Sequence, residues 1–141
     1  MPRTVLTIGT FDTLHEGHLE LLAACRDIAQ GGVVVVAVNP SDFVREYKGH
    51  WPTQTTADRE RALIARPEVN RVLTASGRSC AETIAEVGPD VIAVGDDWLP
   101  LSRYLAQLGV TDRWLRQRGI SVRFIGRTTG QSSTKIREAN Q

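Results

Sequence analysis

The sequence has few of the features that mark several large classes of protein. It has two cysteines, Cys25 and Cys80, in no metal-binding or redox spacing, and Cys25 falls on the apolar face of a predicted helix, where we expect a buried free thiol. No apolar run is long enough to cross a bilayer, and the densest, Val33 to Val38, is typical of a buried strand. The N-terminus runs directly into a strand, which predicts no signal peptide and a cytoplasmic location.

Neither sign of charge dominates, and the phosphate loop of P-loop NTPases is missing. The chain has 17 Lys and Arg residues against 16 Asp and Glu, a formal net charge of +1. That balance gives no electrostatic reason to expect a nucleic acid as the main partner. No Gly-Lys-Ser or Gly-Lys-Thr follows the first strand, which excludes a Walker A loop there. The length suits one domain over residues 1–141, without repeats or linkers.

Short apolar strands alternate with helical patterns along the chain. We predict strands at 4–8, 33–38, 69–74, 91–94 and 121–125, two short helices between 99 and 119, and a terminal helix that begins at Ser132 or Ser133. Connections of this length force parallel strands and right-handed crossovers. The prediction is a Rossmann-like, doubly wound α/β domain with a five-stranded parallel sheet and a site at the carboxyl ends of its strands.

Four loops that follow predicted strands should meet at that edge: residues 10–17, 39–55, 95–100 and 126–133. These loops, and the residues directly after them, hold the chemically informative side chains His15, His18, Lys48, Asp96, Asp97, Arg127, Ser132, Ser133 and Thr134. The segments between the loops carry the apolar periodicity instead. This segregation favours a functional site over an ordinary polar surface.

The segment from Gly9 to His18 is the strongest candidate within this edge. A strand ends at Gly9 and a helical pattern begins near Gly17, so unpaired N–H groups of the helix start face the loop. His15 and His18 alone could be a surface histidine and a buried one, and zinc is a poor match because no further ligands cluster nearby. Imidazole N–H groups that stabilise a transferring phosphoryl group fit the position better.

A second candidate anion site lies near the C-terminus of the chain. Ser132 and Ser133 could simply cap the predicted terminal helix. Arg127 before them, together with the hydroxyl and N–H donors, also suits an anion. Two helix N-termini that face one cleft would suit a triphosphate better than a monophosphate.

These motifs resemble the cytidylyltransferase-like branch of the HxGH nucleotidyltransferases. The family pattern G-x-F-D-x-x-H-x-G-H stands here at Gly9 to His18, and R-T-x-G-x-S-[ST]-T-x-[IL] stands at Arg127 to Ile136. The stretch from Val94 to Trp98 is similar to the G-D-D-W of glycerol-3-phosphate cytidylyltransferases. The resemblance covers nearly the whole chain, with its motifs in the family order.

The resemblance implies transfer of CMP from CTP to a phosphorylated alcohol, with glycerol 3-phosphate favoured, and release of pyrophosphate. It also implies Mg²⁺ on the triphosphate and a homodimer. The alternatives are adenylyl transfer, a sugar phosphate or other phosphorylated acceptor, and a module that binds nucleotide without turnover. A class I aminoacyl-tRNA synthetase shares an HxGH-like signature, but it would need a longer chain and a basic surface for tRNA.

The same resemblance assigns roles to individual residues, but to no metal ligand. The implied catalytic residues are His15, His18, Lys48 and Arg127. The implied nucleotide-binding residues are Gly9, Thr10, Phe11, Gly17, Asp96, Trp98, Ser132, Ser133 and Thr134. Asp12 and Arg59 are candidates for a phosphate or acceptor contact, and Asp12 would lie close to the Mg²⁺. A solvated helix face explains Arg59 equally well.

The resemblance to the family is poorest after Tyr47, in a segment that we predict to be a mobile loop. The run Lys48-Gly49-His50-Trp51-Pro52 lacks the double lysine of glycerol-3-phosphate enzymes. Its K-G-x-x-P form is similar to sugar-phosphate nucleotidyltransferases of the same superfamily. The acceptor is therefore the least determined part of this prediction.

Overall fold

A computed structural model of the protein describes residues 1–76 and 79–126 and the backbone of residues 135–138. Within these residues, six strands form one sheet in the order β3-β2-β1-β4-β5-β6. The strands are β1 (Thr4–Gly9), β2 (Val33–Val38), β3 (Arg71–Thr74), β4 (Val91–Gly95), β5 (Ser121–Gly126) and β6 (Lys135–Glu138). The first five are parallel, as predicted, and β6 runs antiparallel to β5.

Helices connect the strands, and the strand order creates a crevice. The helices are α1 (Glu16–Ala29), α2 (Ser41–Lys48), α3 (Thr56–Ile64), α4 (Ala81–Val87), α5 (Leu101–Leu108) and α6 (Asp112–Gln117), with a 3₁₀ turn at Asp96–Trp98. The chain builds outward from β1 to β3 and then crosses to β4 and β5 on the other side of β1. The carboxyl ends of β1 and β4 therefore form the switch point at which such sheets bind ligands.

Both faces of the sheet are covered, which explains why its central strands are mostly apolar. Leu6 of β1 packs on the face covered by α4, α5 and α6, whereas its neighbour Val5 packs on the face covered by α1. Because side chains alternate along a strand, a strand buried on both faces needs apolar residues at every position. Cys25 of α1 is buried on that second face, as predicted, and burial raises the pKa of its thiol to about 12.

The C-terminal prediction was wrong, because Lys135–Glu138 is a strand rather than part of a helix. Ile136 lies opposite Ile125 in the antiparallel register with β5. Without β6, strand β5 would leave its N–H and C=O groups unpaired at the edge of the sheet. This pairing with β5 excludes a helix over Lys135–Glu138. Residues 127–134, which include Arg127, Ser132, Ser133 and Thr134, lie outside the described residues.

The segment between β4 and β5 agrees with its prediction of two short helices. Gly109, with a φ of 73°, ends α5, and the Thr111 hydroxyl oxygen accepts a hydrogen bond from the Trp114 N–H to begin α6. Among the described residues, every helix falls short of the length and apolar character needed to cross a bilayer. The helices instead cover the sheet and border the crevice.

Candidate active site

A cavity of about 540 Å³ lies at the carboxyl ends of β1, β4 and β5. Its floor is the histidine loop (residues 10–18), which leaves β1 and enters α1. One side is the α2 wall, formed by Phe43, Tyr47 and Lys48. The opposite side is the α5 wall, formed by Asp97, Trp98, Arg103, Tyr104 and Gln107. A volume of this size accommodates a small-molecule ligand.

His15 and His18 cap the N-terminus of α1 together. The Nδ1 atom of His15 accepts a hydrogen bond from the Gly17 N–H at 3.1 Å, and Nδ1 of His18 accepts one from the His15 N–H at 3.2 Å. The two rings stack with their centroids 3.7 Å apart. Since Nδ1 accepts in both rings, each neutral imidazole carries its proton on Nε2. The arrangement makes both Nε2–H groups potential donors at a helix N-terminus.

This capping arrangement was not predicted from the sequence. Residues that commonly cap helices are Ser, Thr, Asp and Asn, and a capping box usually pairs one of them with Glu or Gln. Here the side chains of His15 and His18 supply both hydrogen bonds of the capping box. The reciprocal bonds satisfy two N–H groups of the helix start and also restrain the orientation of both rings.

The histidine loop contains two strained residues. Phe11 and Thr13 have φ angles of 52° and 55°, in the left-handed region that non-glycine residues rarely adopt. Such residues persist only where the surrounding structure enforces them, and they cluster at functional sites. Phe11 is held by burial, with its ring centroid 5.3 Å from that of His18. A Cβ on Gly9 would lie only 3.0 Å from the Phe11 ring, so glycine fits best there.

Asp12 joins the histidine loop to the linking loop (residues 49–55), which connects α2 to α3. Its two carboxylate oxygens accept hydrogen bonds from the backbone N–H groups of Thr53 and Gln54, at 2.7 and 2.9 Å. Burial raises the pKa of Asp12, but these N–H groups and the Arg59 charge outweigh burial and hold that pKa below its ordinary value of 3.8. Asp12 is thus an ionised anchor of the linking loop.

Arg59 is buried, so the interpretation of a solvated helix face was wrong. Its side chain is 0% exposed, and it does not line the cavity described above. Its guanidinium donates hydrogen bonds to the carbonyl oxygens of Thr10, Asn39 and Gln54 and to the hydroxyls of Ser41 and Thr56. Burial lowers the pKa of Arg59, and the nearby Asp12 charge partly offsets that effect. The sequence pattern of α3, with charged neighbours on every side, concealed this position.

The α2 wall brings a cation to the cavity. Lys48 is the last residue of α2 rather than part of a loop, because Gly49 ends the helix with a φ of 82°. The Lys48 Nζ atom lies 5.7 Å from the ring centroid of Tyr47. The Tyr47 hydroxyl forms a 2.9 Å hydrogen bond with the hydroxyl of Thr10. These contacts place Lys48 on the opposite side of the cavity from α5, next to the histidine loop.

The α5 wall combines an aromatic stack with polar groups. The Arg103 guanidinium lies 4.8 Å from the Trp98 ring centroid and donates a 2.7 Å hydrogen bond to the Asp97 carbonyl oxygen. Tyr104 is buried between Trp98 and Phe124, and its hydroxyl has no hydrogen-bond partner among the described residues. Burial raises the pKa of Tyr104, so the hydroxyl keeps its proton and can donate.

The structure also changes which aspartate lines the cavity. We predicted Asp96 and Trp98, but Asp97 and Trp98 are the lining residues. A Cβ on Gly95 would lie 2.6 Å from the Asp97 Oδ1 atom, so that carboxylate folds back over the end of β4. Arg103, Tyr104 and Gln107 were missed altogether, because their spacing on α5 indicates only an amphipathic helix.

The chemistry of the lining restricts the mechanism. Cys80 lines the cavity, but burial raises the pKa of its thiol to about 11, so it stays protonated and makes a poor nucleophile. The described residues contain no group of three or more His, Cys, Asp or Glu side chains that could hold a metal ion. Beside the histidine loop, the lining offers the His15 and His18 donors and the Lys48 cation, which suit an anionic ligand.

Comparison with known proteins gives this site a family context. The model of the cytidylyltransferase-like family matches residues 6–139. The FAD synthase of Korarchaeum cryptofilum is 32% identical over 131 residues, which cover 89% of this chain and 81% of that protein. The bifunctional protein HldE of Psychromonas ingrahamii is 36% identical over 99 residues, 70% of this chain. The chain spans only about 20% of that longer relative.

Solved structures share the fold at lower sequence identity. The lipopolysaccharide core biosynthesis protein of Thermoplasma volcanium superposes with a TM-score of 0.69 at 22% identity, covering 91% of this chain and 98% of that one. The pantothenate synthetase of Thermus thermophilus gives a TM-score of 0.57 at 20% identity, covering 88% of this chain and 56% of that one. At such identities the likeness concerns the arrangement of strands and helices.

Proposed function

The chain belongs to the cytidylyltransferase-like family of nucleotidyltransferases, and we propose that it transfers a nucleotidyl group from a nucleoside triphosphate to a phosphorylated small molecule. The stacked pair of His15 and His18 carries this proposal. Two imidazoles with their Nε2–H groups at a helix N-terminus suit charge that develops on a phosphoryl group. Lys48 on the adjacent wall supplies a positive charge to the same region.

The proposed reaction is an in-line displacement at the α-phosphorus. An oxygen of the acceptor phosphate forms a bond to the α-phosphorus, and the bond to the bridging β-phosphate oxygen breaks. Pyrophosphate leaves with the electron pair of that bond, and no covalent enzyme intermediate forms. His15 and His18 donate hydrogen bonds to the phosphate oxygens as charge develops, and Lys48 reduces the repulsion between the two phosphorylated reactants. Mg²⁺ enters as part of the nucleotide substrate, since it usually binds through phosphates and water.

We propose CTP as the nucleotide, from the Gly-Asp-Asp-Trp segment and from the chemistry of the α5 wall. Cytosine presents an amino group beside two acceptors, N3 and O2. The Asp97 carboxylate can accept from the amino group, and the planar fork of Arg103 can donate to both acceptors. Uracil and guanine have a keto oxygen in place of this amino group, and an oxygen that faces the Asp97 carboxylate would be repelled by it. This wall therefore favours cytosine and adenine over uracil and guanine.

ATP is the second candidate, and a specific relative favours it. The name FAD synthase refers to a product that contains an adenine nucleotide, and that relative covers most of this chain. Adenine shares the amino group and the adjacent ring nitrogen with cytosine, but it has no acceptor at the place of O2. The α5 wall thus provides one hydrogen bond fewer for adenine in the same orientation.

For the acceptor we propose glycerol 3-phosphate, with a sugar phosphate as the alternative. The Gly-Asp-Asp-Trp segment supports the first, and the Lys-Gly-x-x-Pro form of the linking loop supports the second. Either acceptor brings a phosphate that Lys48 can neutralise. A homodimer is a further part of this proposal, and light scattering of the purified chain would test it.

One experiment tests the reaction and separates these candidates. The protein is incubated with each of the four ribonucleoside triphosphates, Mg²⁺ and either glycerol 3-phosphate or a panel of sugar phosphates, and pyrophosphate release is measured. We expect release with CTP and glycerol 3-phosphate. Release with ATP would show that ATP rather than CTP is the nucleotide. Release with a sugar phosphate would show that the acceptor is a sugar phosphate rather than glycerol 3-phosphate. Tight nucleotide binding by calorimetry with no pyrophosphate from any pair would overturn the transferase in favour of a binding module.

A further inference from the structure

We infer that Gln54 and Arg59 are positioning residues. They hold the strained histidine loop in a fixed position relative to α2, which ends at Lys48, and they do not touch substrate. Neither side chain lines the cavity. Gln54 bonds to the backbone of the histidine loop, and Arg59 bonds to backbone carbonyls of the histidine loop, of the linking loop and of the segment that leads into α2. The inference builds on the proposed function, because positioning matters for activity only if these residues perform the phosphoryl chemistry.

Gln54 bonds to its surroundings at three points, two in the histidine loop and one in α3. Its side-chain Oε1 accepts a 2.8 Å hydrogen bond from the Thr13 N–H, and its own N–H donates to Asp12 Oδ1 at 2.9 Å. Its carbonyl oxygen accepts from Arg59 Nε at 3.2 Å. The partners lie 41 or 42 residues away in the histidine loop or five residues away in α3. Gln54 is therefore the junction between the floor of the cavity and the scaffold behind it.

The bond to Thr13 acts where the loop is strained. Thr13 has a φ of 55° and Phe11 a φ of 52°, on either side of Asp12. The linking loop bonds to both residues that follow Phe11, through the Asp12 carboxylate and the Thr13 N–H. Removing the Gln54 acceptor would allow Thr13 to relax towards an ordinary conformation. His15 lies two residues later, so its ring would lose its fixed orientation at the helix start.

Arg59 has no donor left for a substrate. A guanidinium has five N–H bonds, and the five hydrogen bonds of Arg59 all go to protein oxygens. Three of the acceptors are backbone carbonyls: Thr10 follows β1, Asn39 follows β2, and Gln54 belongs to the linking loop. One buried cation thus links the loop that bears the histidines to the segment that leads into α2 and Lys48. A phosphate contact would require several of these bonds to break.

The test separates the acceptor oxygen of Gln54 from its bulk. Gln54→Met keeps the length of the side chain and removes the acceptor, whereas Gln54→Glu keeps an acceptor oxygen. We expect Gln54→Met to lower kcat for pyrophosphate release by about 10- to 100-fold, as a misplacement of about 1 Å would. The dissociation constant of the nucleotide should change less than about twofold, since Gln54 is outside the cavity. Gln54→Glu should recover most of the lost kcat.

The matched control is Gln117→Met, at an exposed position at the end of α6, which should leave kcat unchanged. Thermal unfolding confirms that each variant is folded. Full kcat in Gln54→Met, or an equal loss in Gln54→Met and Gln54→Glu, would overturn the inference.

A second measurement is independent of catalysis, so that failure of the proposed function can be distinguished from failure of this inference. Long-range ¹H–¹⁵N spectra of the imidazoles should show His15 and His18 with their protons on Nε2 in the wild-type protein. In Gln54→Met we expect exchange-averaged signals for both rings, and unchanged signals for His50. Unchanged spectra for all three histidines would overturn the positioning role, whether or not any triphosphate is turned over.

Discussion

The two walls of the cavity are built in opposite ways. Next to the α2 wall, Asp12 of the cavity floor joins Gln54 and Arg59 in a network of hydrogen bonds to protein groups. On the α5 wall, the Tyr104 hydroxyl has no hydrogen-bond partner among the described residues. A polar group that is bonded within the protein holds a structure in place, whereas a buried hydroxyl without a partner gives the fold no hydrogen bond and can gain one from a bound molecule. We therefore expect changes next to the α2 wall to alter folding and turnover, and changes on the α5 wall to alter nucleotide affinity.

The largest effect should come from the centre of the bonded network. Arg59→Met removes the guanidinium and leaves five buried or half-buried oxygens without that donor. We expect the free energy of unfolding to fall by about 3–5 kcal/mol in urea denaturation. Arg61→Met, on the same helix and 71% exposed in the wild type, should change it by less than about 0.5 kcal/mol. Equal, small losses in both variants would show that the network contributes little to stability.

The histidine pair lies between the two walls, and its loss should affect chemistry more than folding, although each ring also caps α1. His15→Ala and His18→Ala each remove one Nε2–H donor from the proposed transition state. We expect each to lower kcat by about 10²–10³-fold in the pyrophosphate assay. His50→Ala is the matched control, because the His50 ring bonds locally, to the Trp51 carbonyl oxygen, and does not line the cavity. Full turnover in both His15→Ala and His18→Ala would rule out the mechanism proposed above.

Tyr104→Phe tests the α5 wall, and its effect should be smaller. Removing a buried hydroxyl that lacks a partner among the described residues should leave the free energy of unfolding unchanged or raise it by up to about 1 kcal/mol. If the hydroxyl meets the nucleotide, the dissociation constant of CTP should rise by about 3- to 10-fold. Calorimetry and urea denaturation of the same preparation measure both quantities. A marked loss of stability, with an unchanged dissociation constant of CTP, would show that the Tyr104 hydroxyl bonds within the protein and not to the nucleotide.

The smallest effect concerns the pH dependence of the Asp12 anchor. Because the folded-state pKa of Asp12 lies below 3.8, its ionised carboxylate stabilises the fold fully above that ordinary value. The stabilisation is lost as the pH falls through the lowered pKa. Asp12→Asn should therefore unfold more easily than wild type at neutral pH, and the two proteins should converge in acid. Urea denaturation at a series of pH values measures the gap, and a constant gap down to acid would contradict the anchor role.

Much of the fold followed from patterns that are local in sequence. The apolar run at Val33–Val38 predicted a strand covered on both faces, and Gly109 with Thr111 predicted the break between α5 and α6. These predictions succeeded because the relevant forces, burial periodicity and helix capping, act over a few residues. The terminal helix failed for the opposite reason, since Lys135–Glu138 pairs with β5 through the tertiary structure.

The candidate site divides along the same line. The sequence was sufficient to place His15, His18 and Lys48 at one edge, because parallel strands with helical crossovers bring their carboxyl ends together. It could not distinguish Asp97 from Asp96, or reveal Arg103 and Tyr104, because the direction of each side chain depends on how the 3₁₀ turn and α5 pack.

Arg59 shows most clearly what the sequence could not determine and the tertiary structure decided. In the sequence it is one charge among several on α3, and its neighbours Asp58 and Arg61 form an exposed ion pair. In the folded protein it is buried against carbonyl oxygens from residues 20 and 49 positions away. Periodicity and propensity describe what a residue prefers among its neighbours in the chain. Which distant backbone oxygens surround a guanidinium is set only when the loops after β1 and β2 pack together, and that packing turned a surface charge pattern into the scaffold of the site.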